Sequence, residues 1–309
     1  MRNKIVVTSY TEPDLDGFSC AVAYAEFLNK TGMPAVVRIF GNPHVEATYL
    51  LQKFGFKVEQ DRTLPLDKVV LVDASELRDL DKFIRPESVI EIIDHRKYND
   101  SSSFGKAKIQ IEFVGAAATL IAEKFYKKNI DISTPAATLL YGAIVSNTLN
   151  FRAKVTTDRD RLMAQWLNSK LGFTKEFVEG MFRAKSDVSG EKLSQRIDAD
   201  FAWFQLEDQK IGIAQMEIID VKRLINTRKQ EILTILQELK TKDHLDKIFI
   251  SFIDLGEGFN AFITDEPGMQ SLLSDTLNIK FEEDIALRSN FIMRKEIVPL
   301  LKEKLLAKM

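Results

Sequence analysis

Three short, β-branched runs in the first hundred residues lead directly into acidic residues, and this restricts the fold more than any other feature of the chain. IVVT (5–8) runs into SYTEPDLDG, KVVLV (68–72) is followed by Asp73, and VIEII (89–93) by Asp94, His95 and Arg96. With AVVRIF (35–40) these runs are nearly continuous in apolar character, which is how strands covered on both faces of a parallel sheet read. Between them, CAVAYAEFL after Gly17, residues 46–54 and residues 76–84 carry apolar side chains at helical spacing. Strands separated by helices imply right-handed βαβ crossovers and a doubly wound, mostly parallel α/β sheet.

From Gly115 to about residue 182 the pattern turns helical. GAAATLIAEKFY, PAATLLYGAIVSNTL and TTDRDRLMAQWL show apolar residues at i, i+3 and i+4, and Thr157 with Asp158 is placed to cap the third. RAKSDVSGEKLSQ (183–195) is polar, almost without apolar periodicity, and reads as a linker. Beyond it KIGIAQMEI, KIFISFID and FNAFIT read as strands, residues 221–239 as a long amphipathic helix, and another helix closes the chain. A length of 309 residues suits two domains, expected here as 1–185, a linker over 186–195, and a smaller α/β domain over 196–309.

Hydrophobic residues make up 45% and charged residues 28%, a balance that argues against long disorder. The 43 Lys and Arg against 45 Asp and Glu leave a net charge of −2, which argues against nucleic acid as the main partner, short oligonucleotides excepted. One cysteine, Cys20, can form neither an intrachain disulfide nor a Cys-type zinc site, as suits a reducing compartment. Without a signal-peptide pattern or an apolar run near the ~20 residues of a membrane helix, a soluble cytoplasmic protein is expected.

Ligands of open α/β sheets bind outside the carboxyl ends of the strands, so Asp14, Asp16, Asp73, Asp94 and His95 are expected on one rim. Each aspartate alone reads as a helix cap or turn residue, and a lone histidine as a structural group. Gathered together they repel unless a cation neutralises them. Oxygen ligands with one imidazole suit manganese or magnesium, and two such ions sharing a carboxylate position and deprotonate a water beside phosphorus.

PDLDG, VDAS, DHR, GAAATLIAEKFY and LLYGAIVSNTLNFRAKVTTDRD resemble, in collinear order, the successive motifs of the DHH phosphoesterase superfamily. IDADFAWFQL, KIGIAQMEIID and MRKEIVPLL are similar to the C-terminal domain of manganese-dependent (family II) inorganic pyrophosphatases and related exopolyphosphatases, and the Gly-Gly-Gly-His element of the RecJ-like branch is lacking. The resemblance implies a metal-dependent phosphohydrolase that cleaves a phosphoanhydride, pyrophosphate or short polyphosphate, with one or two Mn2+ or Mg2+ ions per chain. It implies Asp14, Asp16, Asp73 and His95 as metal ligands, with Asp73 bridging, and Asp94 as the partner that orients His95. Asp73, His95 and Arg96 are the implied catalytic residues. Arg96, Asn147, Arg294 and Lys295 are implied to bind substrate, the last two from the second domain across a cleft. A homodimer is implied as well.

The chain departs from the family pattern at four positions. Tyr10 stands for a histidine, Asn147 for the carboxylate of a Ser-Asp-Thr motif, Arg96 for the second histidine of DHH, and Ala202 for a lysine. A neutral amide and a phenol are weaker ligands, so one ion is expected on Asp16, Asp73 and His95, with Asn147 at best a fourth ligand, and a second only loosely on Asp14 and Asp73. Arg96 either grips phosphate bidentately or repels a metal. Two further readings stand beside the phosphohydrolase. One is a phosphodiesterase for short oligonucleotides or cyclic dinucleotides, with Phe291, Trp203 and Phe204 available for stacking. The other is a catalytically weak homologue that binds a phosphorylated ligand.

Overall fold

The computed structural model describes residues 4–96 and 99–307. The chain divides into two compact units, Met1–Ala184 and Lys185–Met309. In the first, β1 (Ile5–Thr8), β2 (Ala35–Val37), β3 (Val69–Val72), β4 (Val89–Asp94) and β5 (Lys108–Ile111) form one sheet in the order β2-β1-β3-β4-β5. Every pairing is parallel. All four residues of β3 are buried, as its unbroken VVLV demands of a strand covered on both faces. The chain steps outward from β1 to β2 and returns to β3 on the other side of β1, so the winding reverses between β1 and β3. The carboxyl ends of β1, β3 and β4 therefore lie side by side at this switch point.

Helices α1 (Leu15–Lys30), α2 (Val45–Phe54), α3 (Ala117–Lys128), α4 (Thr134–Asn147), α5 (Asp158–Leu171) and α6 (Lys175–Lys185) accompany the sheet. Helix α4 is apolar on all sides, and every residue from Ala136 to Ser146 is buried. Each large aliphatic side chain so covered contributes about 1.5–3 kcal/mol. Ser19 of α1 donates to the Leu139 carbonyl of α4 at 3.0 Å, which fastens the first half of α1 to the middle of α4. Capping of α5 falls to Thr157 and Asp160, which form a reciprocal capping box, rather than to Thr157 with Asp158.

The helix expected over 76–84 is only a 3-10 turn, Leu77–Asp79. Only Leu80 and Ile84 reach a core, Leu77 and Phe83 being exposed, and Asp81 accepts from the Phe83 amide in a local turn. Strand β5 escaped the sequence reading because KIQI is short, half polar and incompletely buried.

The second unit contains α7 (Lys192–Ala199), β6 (Phe201–Leu206), β7 (Gln209–Ile218), α8 (Val221–Asp243), β8 (Lys247–Asp254), β9 (Phe259–Ile263), α9 (Pro267–Leu277), β10 (Phe281–Glu282), β11 (Ile285–Ser289) and α10 (Arg294–Leu306). Its sheet runs β10-β11-β9-β8-β7-β6. Only β7 and β8 are parallel, and α8 is the crossover that a parallel pair requires. The last strand ends at Ser289, and the closing helix begins at Arg294. The stretch read as a linker is loop only between Lys185 and Lys192. That loop is fastened to the second unit: Arg228 donates to the Val188 and Gly190 carbonyls, and the Ile219 amide donates to Ser186 Oγ at 2.8 Å. No helix among the described residues is long and apolar enough to cross a membrane.

Candidate metal centre

The two aspartates of PDLDG take different places. Asp14 is the N-cap of α1, accepting from the Gly17 amide at 3.0 Å, while its own amide donates to the Tyr10 hydroxyl at 3.0 Å. Asp16 lies one residue inside α1 and is fully buried. Gly17 is required between them and the sheet, because a Cβ there would lie 2.3 Å from Ser9 Oγ. Asp16 points at the start of α3, whose Ala117 and Ala118 amides each donate to it at 2.8 Å. It thus caps a helix a hundred residues away, with the favourable end of that helix's dipole.

Asp73 follows β3 in the left-handed conformation (φ 51°), which aspartate tolerates better than most residues. Its amide donates to the Ile93 carbonyl at 2.8 Å. Its Oδ1 is buried with no hydrogen-bond partner. His95, just past β4, has Nδ1 2.9 Å from the Val114 carbonyl. A carbonyl only accepts, so in the neutral ring Nδ1 carries the proton and Nε2 the lone pair. Nε2 lies 3.4 Å from Asp73 Oδ1 and 3.8 Å from Asp16 Oδ2.

Asp94 does not orient the imidazole, as its position in the motif had implied. It accepts from Ser75 Oγ and from the backbone amides of His95 (2.6 Å) and Arg96 (3.2 Å), shaping the turn after β4 instead. The Val114 carbonyl holds the ring.

A lone pair and two carboxylates turned toward one another repel, and a divalent cation is what such a cluster fits. Among the described residues, Asp16, Asp73 and His95 offer ligand atoms all within 4.8 Å of one another. Asp14 is not part of that set. Burial, and then the charge of Asp73, push the Asp16 carboxyl up to about 8, against the pull of His95 and the α3 amides. Burial likewise raises Asp73.

A pH dependence follows, with its sign fixed by those shifts. Native Asp16 keeps its proton up to about pH 8, whereas the unfolded chain releases it near 3.9. The metal-free protein is therefore expected to lose stability as pH rises from about 4 toward 8. Manganese competes with the same proton, so its affinity should climb over that range and level off above it. Calorimetric melting with and without manganese checks both; a metal-free stability that rises with pH contradicts the buried, proton-retaining Asp16.

Each substituted position has a specific place. Asn147, in the last turn of α4, donates through Nδ2 to Asp16 Oδ2 at 2.8 Å, so its amide supplies a hydrogen bond to the cluster. Tyr10 is no ligand: its hydroxyl receives the Asp14 amide, and its ring lies 4.9 Å beneath the Arg96 guanidinium. Burial and the neighbouring Asp14 raise its pKa, keeping the phenol neutral. Arg96 pairs with Asp79 at 3.3 Å and keeps 26% of its side chain exposed. Burial opposes its charge, but Asp73 and Asp94 more than restore it.

In the second unit, Arg294 and Lys295 open α10. The Arg294 guanidinium donates to the carbonyls of Asp200 and, at 3.1 Å, Ile213, and its amide donates to Gln215 Oε1. Lys295 is exposed. Glu296 accepts the Met293 amide at 3.0 Å, occupying part of the helix start. Ala202 lies in β6 opposite Ile213. The aromatic residues considered for base stacking form no platform: Phe291 is buried, Phe204 packs against the core, and Trp203 carries the Lys210 ammonium 4.2 Å over its face.

A parallel sheet that delivers carboxylates and an imidazole to its switch point, followed by a mixed-sheet unit, defines the class of metal-assisted DHH phosphoesterases. Residues 4–144 match the DHH family, N-terminal domain, and residues 179–304 the DHHA2 domain. A manganese-dependent inorganic pyrophosphatase of Methanocaldococcus jannaschii is 30% identical over 306 residues, covering 95% of this chain and 96% of that protein. One from Bacillus subtilis is 28% identical over 306 residues, covering 96% and 97%. The crystal structure of the Methanococcus jannaschii putative family II inorganic pyrophosphatase superposes with a TM-score of 0.78 at 28% identity, covering 97% of this chain and 99% of that one. The chain belongs to the family of manganese-dependent (family II) inorganic pyrophosphatases.

Proposed function

We propose that this protein is a manganese-dependent phosphohydrolase that cleaves pyrophosphate. The observation that carries the reading is the buried, partnerless Asp73 Oδ1 facing the His95 lone pair and Asp16, in a chain with pyrophosphatase relatives along nearly its whole length. Asp16, Asp73 and His95 hold the metal. A divalent ion there lowers the pKa of a bound water and withdraws charge from phosphoryl oxygens. Asp16 is kept in place by the α3 amides, and His95 by the Val114 carbonyl. Arg96, steadied by Asp79 and the Tyr10 ring, supplies fixed positive charge for a phosphate. The first unit, up to about residue 185, serves the metal and the second, over 196–309, the substrate. Kinship with the family also extends the proposal to a homodimer and to cytoplasmic residence; light scattering of the purified protein tests the former.

The deciding experiment measures phosphate release with manganese from pyrophosphate, tripolyphosphate and a dinucleotide. Pyrophosphate is expected to be the best substrate. No release from any of them at saturating manganese overturns the proposal.

Arg294 and Lys295 are proposed to hold substrate phosphate, and their surroundings separate the two. Arg294→Ala leaves carbonyls without their donor and is expected to cost about 1–3 kcal/mol of stability besides turnover. Lys295→Ala, at an exposed position, should leave the melting temperature unchanged and lower kcat/KM about tenfold or more. A parental kcat/KM in Lys295→Ala removes this lysine from the substrate site.

A further inference from the structure

Asp160 is fully buried, and every group directed at it is a donor. Thr119 Oγ1 donates to Oδ1 at 2.6 Å, and the Thr157 amide and hydroxyl each donate to Oδ2 at 2.7 Å. The Gly115 amide donates to both oxygens, at 3.1 and 2.9 Å. That amide belongs to the same peptide unit as the Val114 carbonyl, which receives His95 Nδ1 at 2.9 Å. One peptide plane, Val114–Gly115, is thus gripped at its N–H end by a carboxylate and at its C=O end by the imidazole.

We propose that Asp160 is a positioning residue for the metal centre, acting on His95 through the Val114–Gly115 peptide. Metal-bound histidines commonly pass their second N–H to a carboxylate or carbonyl, which fixes the tautomer and raises ligand basicity. Here both partners are used in series. The buried charge of Asp160 pulls on the amide hydrogen, polarises the peptide, and makes the Val114 oxygen a stronger acceptor for Nδ1–H. Nε2 is thereby held as the lone-pair nitrogen, directed at Asp73 and Asp16.

The packing admits this relay only without a side chain at position 115. A Cβ on Gly115 would lie 2.6 Å from Thr148 Cγ2 and 3.0 Å from Asp160 Oδ2. The same carboxylate fastens Thr119, in the first turn of α3, and so steadies the Ala117 and Ala118 amides that hold Asp16. Two of the three ligand side chains are therefore tied to one acid that touches neither. Asp158, the acid the sequence reading placed at this cap, has no part in it.

The inference rests on the proposed metal site, and its test keeps the two apart. Asp160→Asn preserves shape but replaces an acceptor oxygen with a donor, so one N–H or O–H loses its partner. Manganese affinity by titration calorimetry should fall about 10–100-fold, the range for groups behind metal ligands. In the metal-free protein, imidazole nitrogen NMR should show His95 as the Nδ1–H tautomer in the parent, with that signature weakened or lost in Asp160→Asn. Parental manganese affinity and an unchanged tautomer in the variant overturn the relay. The parent carries its own test, independent of whether Asp160→Asn folds: an Nε2–H tautomer in metal-free His95 also overturns the relay. If the parent binds no manganese at all, the metal-site reading falls, and the metal-free tautomer still decides the relay.

Discussion

Asp73→Asn is expected to lower manganese affinity at least about 100-fold and, in the same protein, to raise the melting temperature of the metal-free form. Asparagine keeps the shape of the side chain and tolerates the left-handed backbone at this position, where φ is 51°. What it removes is a buried charge that burial and Asp14 disfavour, against the pull of His95 and Arg96. Its amide hydrogens can face the Nε2 lone pair now 3.4 Å away, satisfying both groups without a cation. The relief should amount to about 1–3 kcal/mol, a rise of several degrees for a unit of this size. Titration calorimetry and a metal-free melting curve read the two effects separately. Unchanged manganese binding would remove Asp73 from the centre; weakened binding with a lowered metal-free melting temperature would mean that His95 and Arg96 outweigh the cost of burying the charge.

Asn147→Asp should produce the opposite pair of effects. The parental amide donates to Asp16 Oδ2 at 2.8 Å, so a carboxylate there sets two acceptors against each other in a buried site. Without metal the variant is expected to lose about 2–4 kcal/mol. With manganese the added charge becomes a ligand, and affinity should rise at least about tenfold. The melting-temperature increase caused by manganese should therefore be much larger than in the parent. Tyr10→His is not expected to add independently, because Tyr10 supports both the Asp14 amide and the Arg96 guanidinium. A manganese-induced shift no larger than the parent's would show that the position of residue 147, and not its charge, limits the site.

Much of the first unit was legible before any coordinates. Strands of unbroken β-branched residues ending in acids could only be a covered parallel sheet, and the acids could only collect at its carboxyl edge. The same reasoning put Asp16, Asp73 and His95 on one rim, and the structure gathers their ligand atoms within 4.8 Å of one another. It failed where the partner is main chain. Nothing in residue type distinguishes the Val114 carbonyl from any other, and the family resemblance pointed to Asp94 as the partner of the imidazole instead. Asp14 and Asp16 looked alike in a DxD motif, and only the placement of α3 makes one a cap and the other a buried acceptor. Asp160 had a visible signal, an aspartate three residues after Thr157, which is capping-box spacing. Its second role depends on Gly115, forty-five residues away, and no local pattern carries that. Residues 76–84 misled for the reverse reason: they have the helical period, but Leu77 and Phe83 stay exposed and only Leu80 and Ile84 meet a core.

The hydrogen bonds that build the centre also fix when it can exist. Asp16 meets the α3 amides across 101 and 102 residues of chain, and Asn147 across 131. Contacts this distant in sequence close late, after the loops between them have lost their entropy. A nascent chain that has not yet released residue 147 has Asp16, Asp73 and His95 but lacks the Asn147 hydrogen bond to Asp16. Manganese capture by the proposed ligands would thus follow the docking of the last turn of α4.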